Sequence, residues 1–231
     1  MLSFAIPSKG RLAEQSASWL AGHGIEIVKS DSDRRYSGSL TGALEAELLF
    51  LSASEIPVEL ERGNLHLAIT GMDVLRERMP EWRRHVTEIA PLGFGHADLA
   101  ICVPKFWIDA ESVDDLDAIA ARFRRHHGRR LRIATKYPQL ARGFLSRNGV
   151  ADYQLVFSRG ATEGTVANNN AEAIADLVST GRTLDANGLK KLPGGTILQS
   201  EAALFLSAAE IPENSQDAVK RFIRRARAAF K

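Results

Sequence analysis

Short apolar runs along the chain alternate with longer segments in which apolar residues recur at helical spacing. The segments that follow Gly10, Ser54 and Gly71 have this helical spacing and predict helices. Apolar runs that predict strands in this part of the chain are residues 2–6, 25–28, 47–51 and 66–70. The alternation is typical of βαβ units in a mostly parallel sheet.

A second series of strands and helices begins after a segment rich in proline and glycine, residues 90–96. Such a segment suits a crossover between lobes better than the interior of an element. The second series has predicted strands at 98–103, 131–135 and 153–157, and predicted helices at 112–127 and 138–147. We therefore predict an α/β protein with two domains, residues 1–95 plus 198–231 and residues 96–197.

The last predicted helix has an apolar face opposite a basic one. Val219, Phe222, Ile223, Ala226 and Phe230 recur at helical spacing, with lysine and arginine between them. An amphipathic helix of this kind buries its apolar face, so we expect it to pack on the first domain.

Composition and charge exclude several classes of protein. Hydrophobic residues make up 45% of the chain and charged residues 25%, which is typical of a folded protein. The net charge is only +2, so the molecule as a whole has no strong field to attract nucleic acid. No apolar run approaches the roughly 20 residues that span a bilayer, and no secretory signal is recognisable. We expect a cytoplasmic protein.

One turn has the composition of a phosphate-binding loop. Ser179-Thr180-Gly181-Arg182-Thr183 follows Asp176 and a segment, Ala171 to Val178, whose spacing predicts a helix. Small hydroxyl residues around a glycine can present several N–H and O–H donors to one phosphate. The same composition also makes an ordinary turn at a helix C-terminus, so both interpretations stay open.

Two further candidates follow predicted strands of the first domain. Lys9 and Arg11 come directly after the first strand, where ligands gather in open α/β sheets, although a solvated basic turn is the alternative. Gly71 and Asp73 occupy a similar turn; Asp73 either orients a ligand or, more commonly, caps its helix.

Cysteine, histidine and the basic run 122–132 favour structural roles. Cys102 lies in an apolar predicted strand and is expected to be a buried thiol; a reactive nucleophile is the alternative. No pair of histidines or cysteines has convincing zinc-site spacing. The basic run suits a solvated helix face or a subunit contact better than nucleic-acid binding, given the small net charge.

Five segments, in this order, resemble the catalytic chain of the HisG family of ATP phosphoribosyltransferases. They span nearly the whole chain and are residues 7–12, 67–73, 132–138, 160–163 and 176–184 with 186–189. The resemblance implies a two-lobed fold like that of type II periplasmic binding proteins, with a substrate cleft between the lobes. It also implies a glycosyltransferase reaction, in which N1 of ATP displaces pyrophosphate from phosphoribosyl pyrophosphate (PRPP) at the start of histidine biosynthesis.

The resemblance further implies substrates, a metal and a partner. Mg²⁺ is expected as the cofactor, held largely by the substrate phosphates. The length matches the short form of the family, which assembles with a regulatory subunit, HisZ, that is similar to histidyl-tRNA synthetase. Neither nucleic acid nor a membrane is expected as a partner.

Site residues follow from the resemblance position by position. PRPP binding is implied for Glu163, Asp176, Ser179, Thr180, Gly181, Arg182 and Thr183. Catalytic contacts with the substrate phosphates are implied for Lys9, Arg11 and Arg34, and the ATP side of the cleft for Gly71 and Asp73. Two departures from the family pattern are Ser52, where many relatives have arginine, and Asn168-Asn169-Asn170, in place of a glycine-containing approach to the next element.

Two other functions share parts of this pattern. A solute-binding module would use the same fold without chemistry, but the absence of a signal segment argues against it. A nucleic-acid-binding protein is suggested only by the basic run.

Overall fold

A computed structural model describes residues 1–29 and 37–228. Twelve strands within these ranges are β1 Ser3–Pro7, β2 Ile25–Lys29, β3 Ser37–Gly42, β4 Ala46–Leu51, β5 Leu67–Gly71, β6 Val86–Pro91, β7 Ala97–Pro104, β8 Leu131–Thr135, β9 Tyr153–Phe157, β10 Ala173–Val178, β11 Leu189–Ser200 and β12 Ala202–Ser207. Eight α-helices are α1 Arg11–Gly22, α2 Ile56–Glu61, α3 Met72–Arg78, α4 Val113–His127, α5 Pro138–Arg147, α6 Gly164–Ala167, α7 Arg182–Ala186 and α8 Gln216–Ala228.

The chain divides into two compact units. The first consists of Met1–His96 with Glu201–Lys231, and the second of Ala97–Ser200. The chain therefore passes to the second unit after His96 and returns after Ser200. The domain boundaries predicted from the sequence, between residues 95 and 96 and between residues 197 and 198, stay a prediction.

Each unit is built on one mixed sheet. The first sheet has the strand order β2-β3-β4-β1-β5-β12-β6, and the second has the order β11-β7-β10-β8-β9. Parallel pairing is confined to β1 with β4 and β5, and to β8 with β9 and β10. The prediction of mostly parallel sheets is wrong, because β3, β6, β11 and β12 add antiparallel pairs.

The core of the first unit lies on both faces of its sheet. Side chains alternate along β1, so Phe4 packs in one cluster with α1 and α8 while Ala5 packs in another with α2 and α3. Phe222 of α8 meets Phe4 edge to face, with ring centroids 6.3 Å apart. The predicted packing of the last helix on the first unit is therefore confirmed; Phe230 lies outside the described residues.

The second unit also buries both faces of its sheet. Ile101, Ile133 and Leu145 belong to a cluster covered by α4 and α5. Ala134 and Leu184 belong to a smaller cluster on the other side, next to α7. Burial on both faces explains the continuous apolar run 99–103 of β7, in which every residue is fully buried. None of the described helices is long and apolar enough to cross a membrane.

Candidate active site

The loop from Ser179 to Gly181 connects a strand to a helix. The helix predicted over Ala171–Val178 is wrong: β10 runs from Ala173 to Val178, and the loop leads from it into α7. The segment is short, and its apolar residues happen to have helical spacing. They are apolar because Ala173–Ala175 are buried in a strand between β7 and β8. The loop therefore lies at the carboxyl end of a central strand, which is where α/β proteins bind ligands.

The backbone of this loop is open to a ligand. Gly181 has φ 75°, and a Cβ placed there would meet no atom within 4 Å. Ser179, Thr180 and Thr183 are exposed, while Leu184 is buried and anchors α7 to the sheet. Within the described part of the chain, no hydrogen bond uses the N–H groups of residues 179–183 as donors. These N–H groups can therefore point at a phosphate.

Asp176 and Glu163 lie close enough for their charges to interact. Burial raises the pKa of Asp176, and the negative charge of Glu163 raises it further. The Leu177 N–H donates to Asp176 Oδ1 at 2.9 Å, and together with the positive charge of Lys136 it opposes that shift. The site thus pairs a partly buried carboxylate with a second carboxylate and a cation.

Thr162 and Lys136 were missed by the sequence-based site assignment. The Thr162 hydroxyl is completely buried and lies near the Asp176 carboxylate, outside hydrogen-bonding geometry. Lys136 is exposed directly after β8, the parallel neighbour of β10. Its position after a predicted strand was a usable signal, because the carboxyl ends of parallel strands lie at one edge of a sheet.

Two predicted site segments of the first unit, and the segment with Ser52, also follow parallel strands. Lys9 and Arg11 follow β1, Ser52 follows β4, and Gly71 ends β5. The Ser8 N–H donates to the Leu51 carbonyl at 2.8 Å, which brings the first two segments side by side. Because β4, β1 and β5 are adjacent and parallel, their carboxyl ends share one edge of the sheet. Lys9 and Arg11 are exposed there.

Asp73 lies in the first turn of α3 and is only 5% exposed. The N-cap residue is Gly71, which has no side chain to cap the helix. A Cβ on residue 71 would lie 2.4 Å from Asp73 Oδ1, so the glycine is required for the carboxylate to take this position. An acidic residue in the first turn favours a helix, and the capping and ligand-orienting interpretations of Asp73 both stay predictions.

Ser52 has local partners in place of the arginine of many relatives. Its N–H donates to Glu55 Oε2 at 2.9 Å, and its hydroxyl lies 3.2 Å from that of Ser54. Hydrogen bonding to the side chain and then to the backbone of Ser52 lowers the pKa of Glu55. The second departure from the family pattern is Asn168-Asn169-Asn170. Asn169 has φ 56°, a left-handed conformation that asparagine tolerates better than most residues. Arg34 lies outside the described residues.

Three of the six arginines in the basic run form ion pairs within the second unit. Arg124 pairs with Asp152, and Glu172 accepts hydrogen bonds from both Arg129 and Arg132. Burial disfavours ionised Glu172, but the hydrogen bonds from these arginines outweigh it and lower its pKa to about 2. The structural interpretation of these three arginines is therefore supported.

Cys102 is fully buried, and His66 is partly buried. Burial raises the pKa of the Cys102 thiol to about 12, which confirms the prediction of a buried strand residue. The Ser3 N–H donates to His66 Nδ1 at 3.1 Å, and burial lowers the pKa of the ring. Within residues 1–29 and 37–228, no group of three or more His, Cys, Asp or Glu residues is placed to hold a metal ion.

Solved structures define the class of fold. The ATP phosphoribosyl transferase (HisG:HisZ) complex from Thermotoga maritima contains a chain similar to this one, with a TM-score of 0.74 and 20% identity over 99% of this chain and 97% of that chain. The substrate-binding protein of an amino acid ABC transporter gives a TM-score of 0.52 at 11% identity over 99% and 93% of the two chains. The chain thus has an α/β fold of the type II periplasmic-binding-protein kind, as predicted.

Sequence comparison defines the family. The family model described as HisG, ATP phosphoribosyltransferase, matches residues 52–228. ATP phosphoribosyltransferase from Cereibacter sphaeroides is 55% identical over 206 residues, which cover 89% of this chain and 87% of that protein. The Chelativorans sp. enzyme is 46% identical over 91% and 92% of the two chains. The Bradyrhizobium sp. relative is also 46% identical, and the match covers 89% of this chain but only 63% of that longer protein.

The chain therefore belongs to the HisG family of ATP phosphoribosyltransferases, which carry out the first step of histidine biosynthesis. The family predicted from five short segments of the sequence is confirmed.

Proposed function

We propose that residues 179–183 bind the 5′-phosphate of PRPP. The observation that carries this proposal is the free row of N–H donors around Gly181, at the carboxyl end of β10. The hydroxyls of Ser179, Thr180 and Thr183 add donors beside them, and Arg182 adds a positive charge. A phosphate monoester matches this set of donors in both charge and size.

Asp176 and Glu163 are assigned to the ribose of PRPP. Asp176 lies in the strand that leads into the proposed phosphate loop, and the charge of Glu163 acts on its carboxylate. Ionised carboxylates accept hydrogen bonds from sugar hydroxyls. Thr162 and Lys136 support the same site, Thr162 by packing beside Asp176 and Lys136 by favouring its ionised form. The ribose would thus be held on the side next to its 5′-phosphate.

The leaving pyrophosphate requires positive charge. Lys9, Arg11 and Arg34 are assigned to the substrate phosphates, with Gly71 and Asp73 on the ATP side, as the family resemblance implies. Support for Lys9 and Arg11 is their exposure at the strand ends of the first sheet. Ser52 cannot supply the positive charge of the arginine that the family resemblance implies at this position. Lys9, Arg11 and Arg34 would therefore stabilise more of the negative charge on the leaving pyrophosphate.

The reaction needs no covalent intermediate. Adenine N1 already has a lone pair, and displacement at the anomeric carbon passes through a transition state with oxocarbenium character. The residues therefore act by holding N1 in line with C1 and by stabilising charge on the departing pyrophosphate. Phosphoribosylation of a side chain during turnover would contradict this mechanism.

Mg²⁺ is proposed as the metal that accompanies PRPP. Mg²⁺ usually keeps several waters and binds through one or two carboxylates plus substrate phosphates. Asp176 and Glu163 form such a pair, so the residues present fit this mode of binding. The ion would neutralise pyrophosphate charge when bound.

A regulatory partner of the HisZ type is proposed for this chain. The structurally similar chain from Thermotoga maritima was solved in a HisG:HisZ complex. ATP and PRPP are products of central metabolism, so the proposal also places the assembly in the cytoplasm.

Pyrophosphate release tests the proposal. The purified chain with a HisZ-type subunit, ATP, PRPP and Mg²⁺ is expected to release pyrophosphate and form phosphoribosyl-ATP. Thr183→Ala should raise the KM for PRPP more than the KM for ATP, because the hydroxyl contacts only one substrate. Equal loss for both substrates would contradict the assignment of the loop, and absence of turnover with both subunits would contradict the proposed activity.

A further inference from the structure

The second unit has a basic pocket at the end of β8 opposite to the end that Lys136 follows. It has a volume of about 510 Å³ and is lined by side chains from the start of β8, from α5 and from β9. The polar lining groups are Arg130, Arg142, Ser146, Tyr153 and Gln154. The pocket is large enough for a small organic ligand, and larger than a bare phosphate requires.

Positive charge in this pocket is not neutralised. No aspartate or glutamate lines it. Within the described ranges, neither Arg130 nor Arg142 takes part in an ion pair, although Arg124, Arg129 and Arg132 nearby are all paired. The two arginines are thus left with no ion-pair partner while lining the same concave surface.

The geometry of the lining residues favours a phosphate. Arg142 and Ser146 are four residues apart on α5 and so lie on the same face of that helix. Tyr153 and Gln154 begin β9, which is the edge strand of the second sheet. Two planar guanidinium groups bind phosphate oxygens in pairs of hydrogen bonds, and the hydroxyls and the amide can bind the rest of a ligand.

The pocket is separate from the proposed PRPP site. Arg130 precedes β8, whereas Lys136 follows it, so the two sites lie at opposite ends of this strand. Five residues of strand span about 15 Å. A ligand in the pocket therefore does not contact the groups assigned to PRPP.

We propose that this pocket binds a phosphorylated small molecule, a phosphate monoester with an organic group of nucleotide size, at a site distinct from the substrate site. This proposal does not depend on which residues bind PRPP. A nucleic acid is the other polyanion that could use the same arginines, and the test separates the two.

The test is a titration of the ¹⁵N-labelled chain followed by ¹H–¹⁵N spectra. AMP and inorganic phosphate are the probes. Both should cause saturable shifts of the Ser146, Gly149 and Gln154 amides, and AMP should bind more tightly. The double variant Arg130→Gln/Arg142→Gln should weaken the binding at these amides at least tenfold, while shifts of the Gly181 amide on PRPP addition stay unchanged.

A charge-matched control is Arg122→Gln/Arg125→Gln, which removes two exposed arginines of α4 that do not line the pocket. It should change AMP binding less than twofold. If the pocket variant folds poorly, as judged from its spectrum, the single variant Arg142→Gln gives the same comparison. Linear shifts without saturation, equal weakening in the control, or tighter binding of a single-stranded oligonucleotide than of AMP would each overturn the proposal.

Discussion

The carboxylate of Asp73 lies so close to Gly71 that a Cβ on residue 71 would be 2.4 Å from Oδ1. Contacts this short do not occur in proteins, so any side chain at residue 71 must displace the carboxylate. Asp73 is almost completely buried in the first turn of α3, directly after β5, and β5 is the neighbour of the strand that leads to Lys9. The pair therefore fixes one acidic group at the edge of the first sheet.

Gly71→Ala is expected to raise the KM for ATP severalfold while the protein stays folded, because the added methyl group moves the Asp73 carboxylate. Steady-state kinetics with saturating PRPP measure this change. Gly22→Ala is the matched control, since a Cβ at Gly22 meets no atom within 4 Å and alanine is favoured in a helix. An unchanged KM in Gly71→Ala would show that the position of Asp73 does not matter to ATP.

Asp176→Asn is expected to stabilise the protein at neutral pH while weakening PRPP binding. Burial raises the pKa of Asp176, so the ionised form costs folding free energy above its folded pKa. As pH falls through that pKa the wild type protonates and the cost is relieved, so the stabilisation by asparagine should shrink. Thermal unfolding from pH 7 to pH 3 measures the difference.

The control for this prediction is Asp109→Asn, an exposed position. It should leave both Tm and PRPP affinity close to the wild-type values. A fall in the Tm of Asp176→Asn at pH 7 would contradict the view that the buried carboxylate is held at the expense of stability.

Glu172→Gln is expected to destabilise the second unit by about 1.5–3 kcal/mol at pH 7, because it removes charge-assisted hydrogen bonds. Arg132 Nη2 lies 2.7 Å and Arg129 Nη2 3.0 Å from Glu172 Oε1, and the Arg132 N–H donates to Oε2 at 2.8 Å. The pKa of Glu172 is lowered to about 2. Its contribution is therefore complete above the unfolded pKa of about 4.5 and is lost as pH falls towards 2.

Urea unfolding of Glu172→Gln and wild type at pH 7 and pH 3 measures this difference, which should be smaller at pH 3. Glu45→Gln, at an exposed position, serves as the control and should show little change at either pH. A difference that stays constant with pH would mean that the charge of Glu172 is not what stabilises the unit.

Phe222→Ala is expected to destabilise the first unit by about 3–5 kcal/mol, because it removes a fully buried ring and leaves a cavity. The ring contacts Phe4 and Trp19, with centroids 6.3 Å and 6.1 Å away. Chemical denaturation measures the loss. Arg225→Ala, on the exposed face of α8, should change stability by less than about 0.5 kcal/mol.

Hydrophobic patterning was sufficient to predict most helices and strands. The apolar run of β1 and the two-sided pattern of α8 were read correctly, because burial dictates their periodicity. β10 was read as a helix, since Ile174, Ala175 and Val178 satisfy helical spacing over a stretch too short to distinguish the two. β3 was missed because Ser37–Gly42 is polar and glycine-rich, so it lacks the apolar run that indicates a strand.

Site residues were predicted where they belong to a continuous motif. Residues 179–183 could be proposed from the sequence because small hydroxyl residues surround a glycine in one turn. Lys136 was missed although its position after the predicted strand β8 was a usable signal, whereas the proximity of Thr162 to Asp176 is not encoded in local sequence. The ion-pair partners of the arginines in the basic run could not be predicted from the sequence either, because Glu172 is 40 residues from Arg132.

The central claim is that residues 179–183 bind the 5′-phosphate of PRPP, and a crystal structure of the protein with PRPP and Mg²⁺ tests it most directly. We predict phosphate oxygens at about 3 Å from the N–H groups around Gly181 and from the Thr183 hydroxyl. A 5′-phosphate bound elsewhere, with this loop making no contact with the ligand, would contradict the claim.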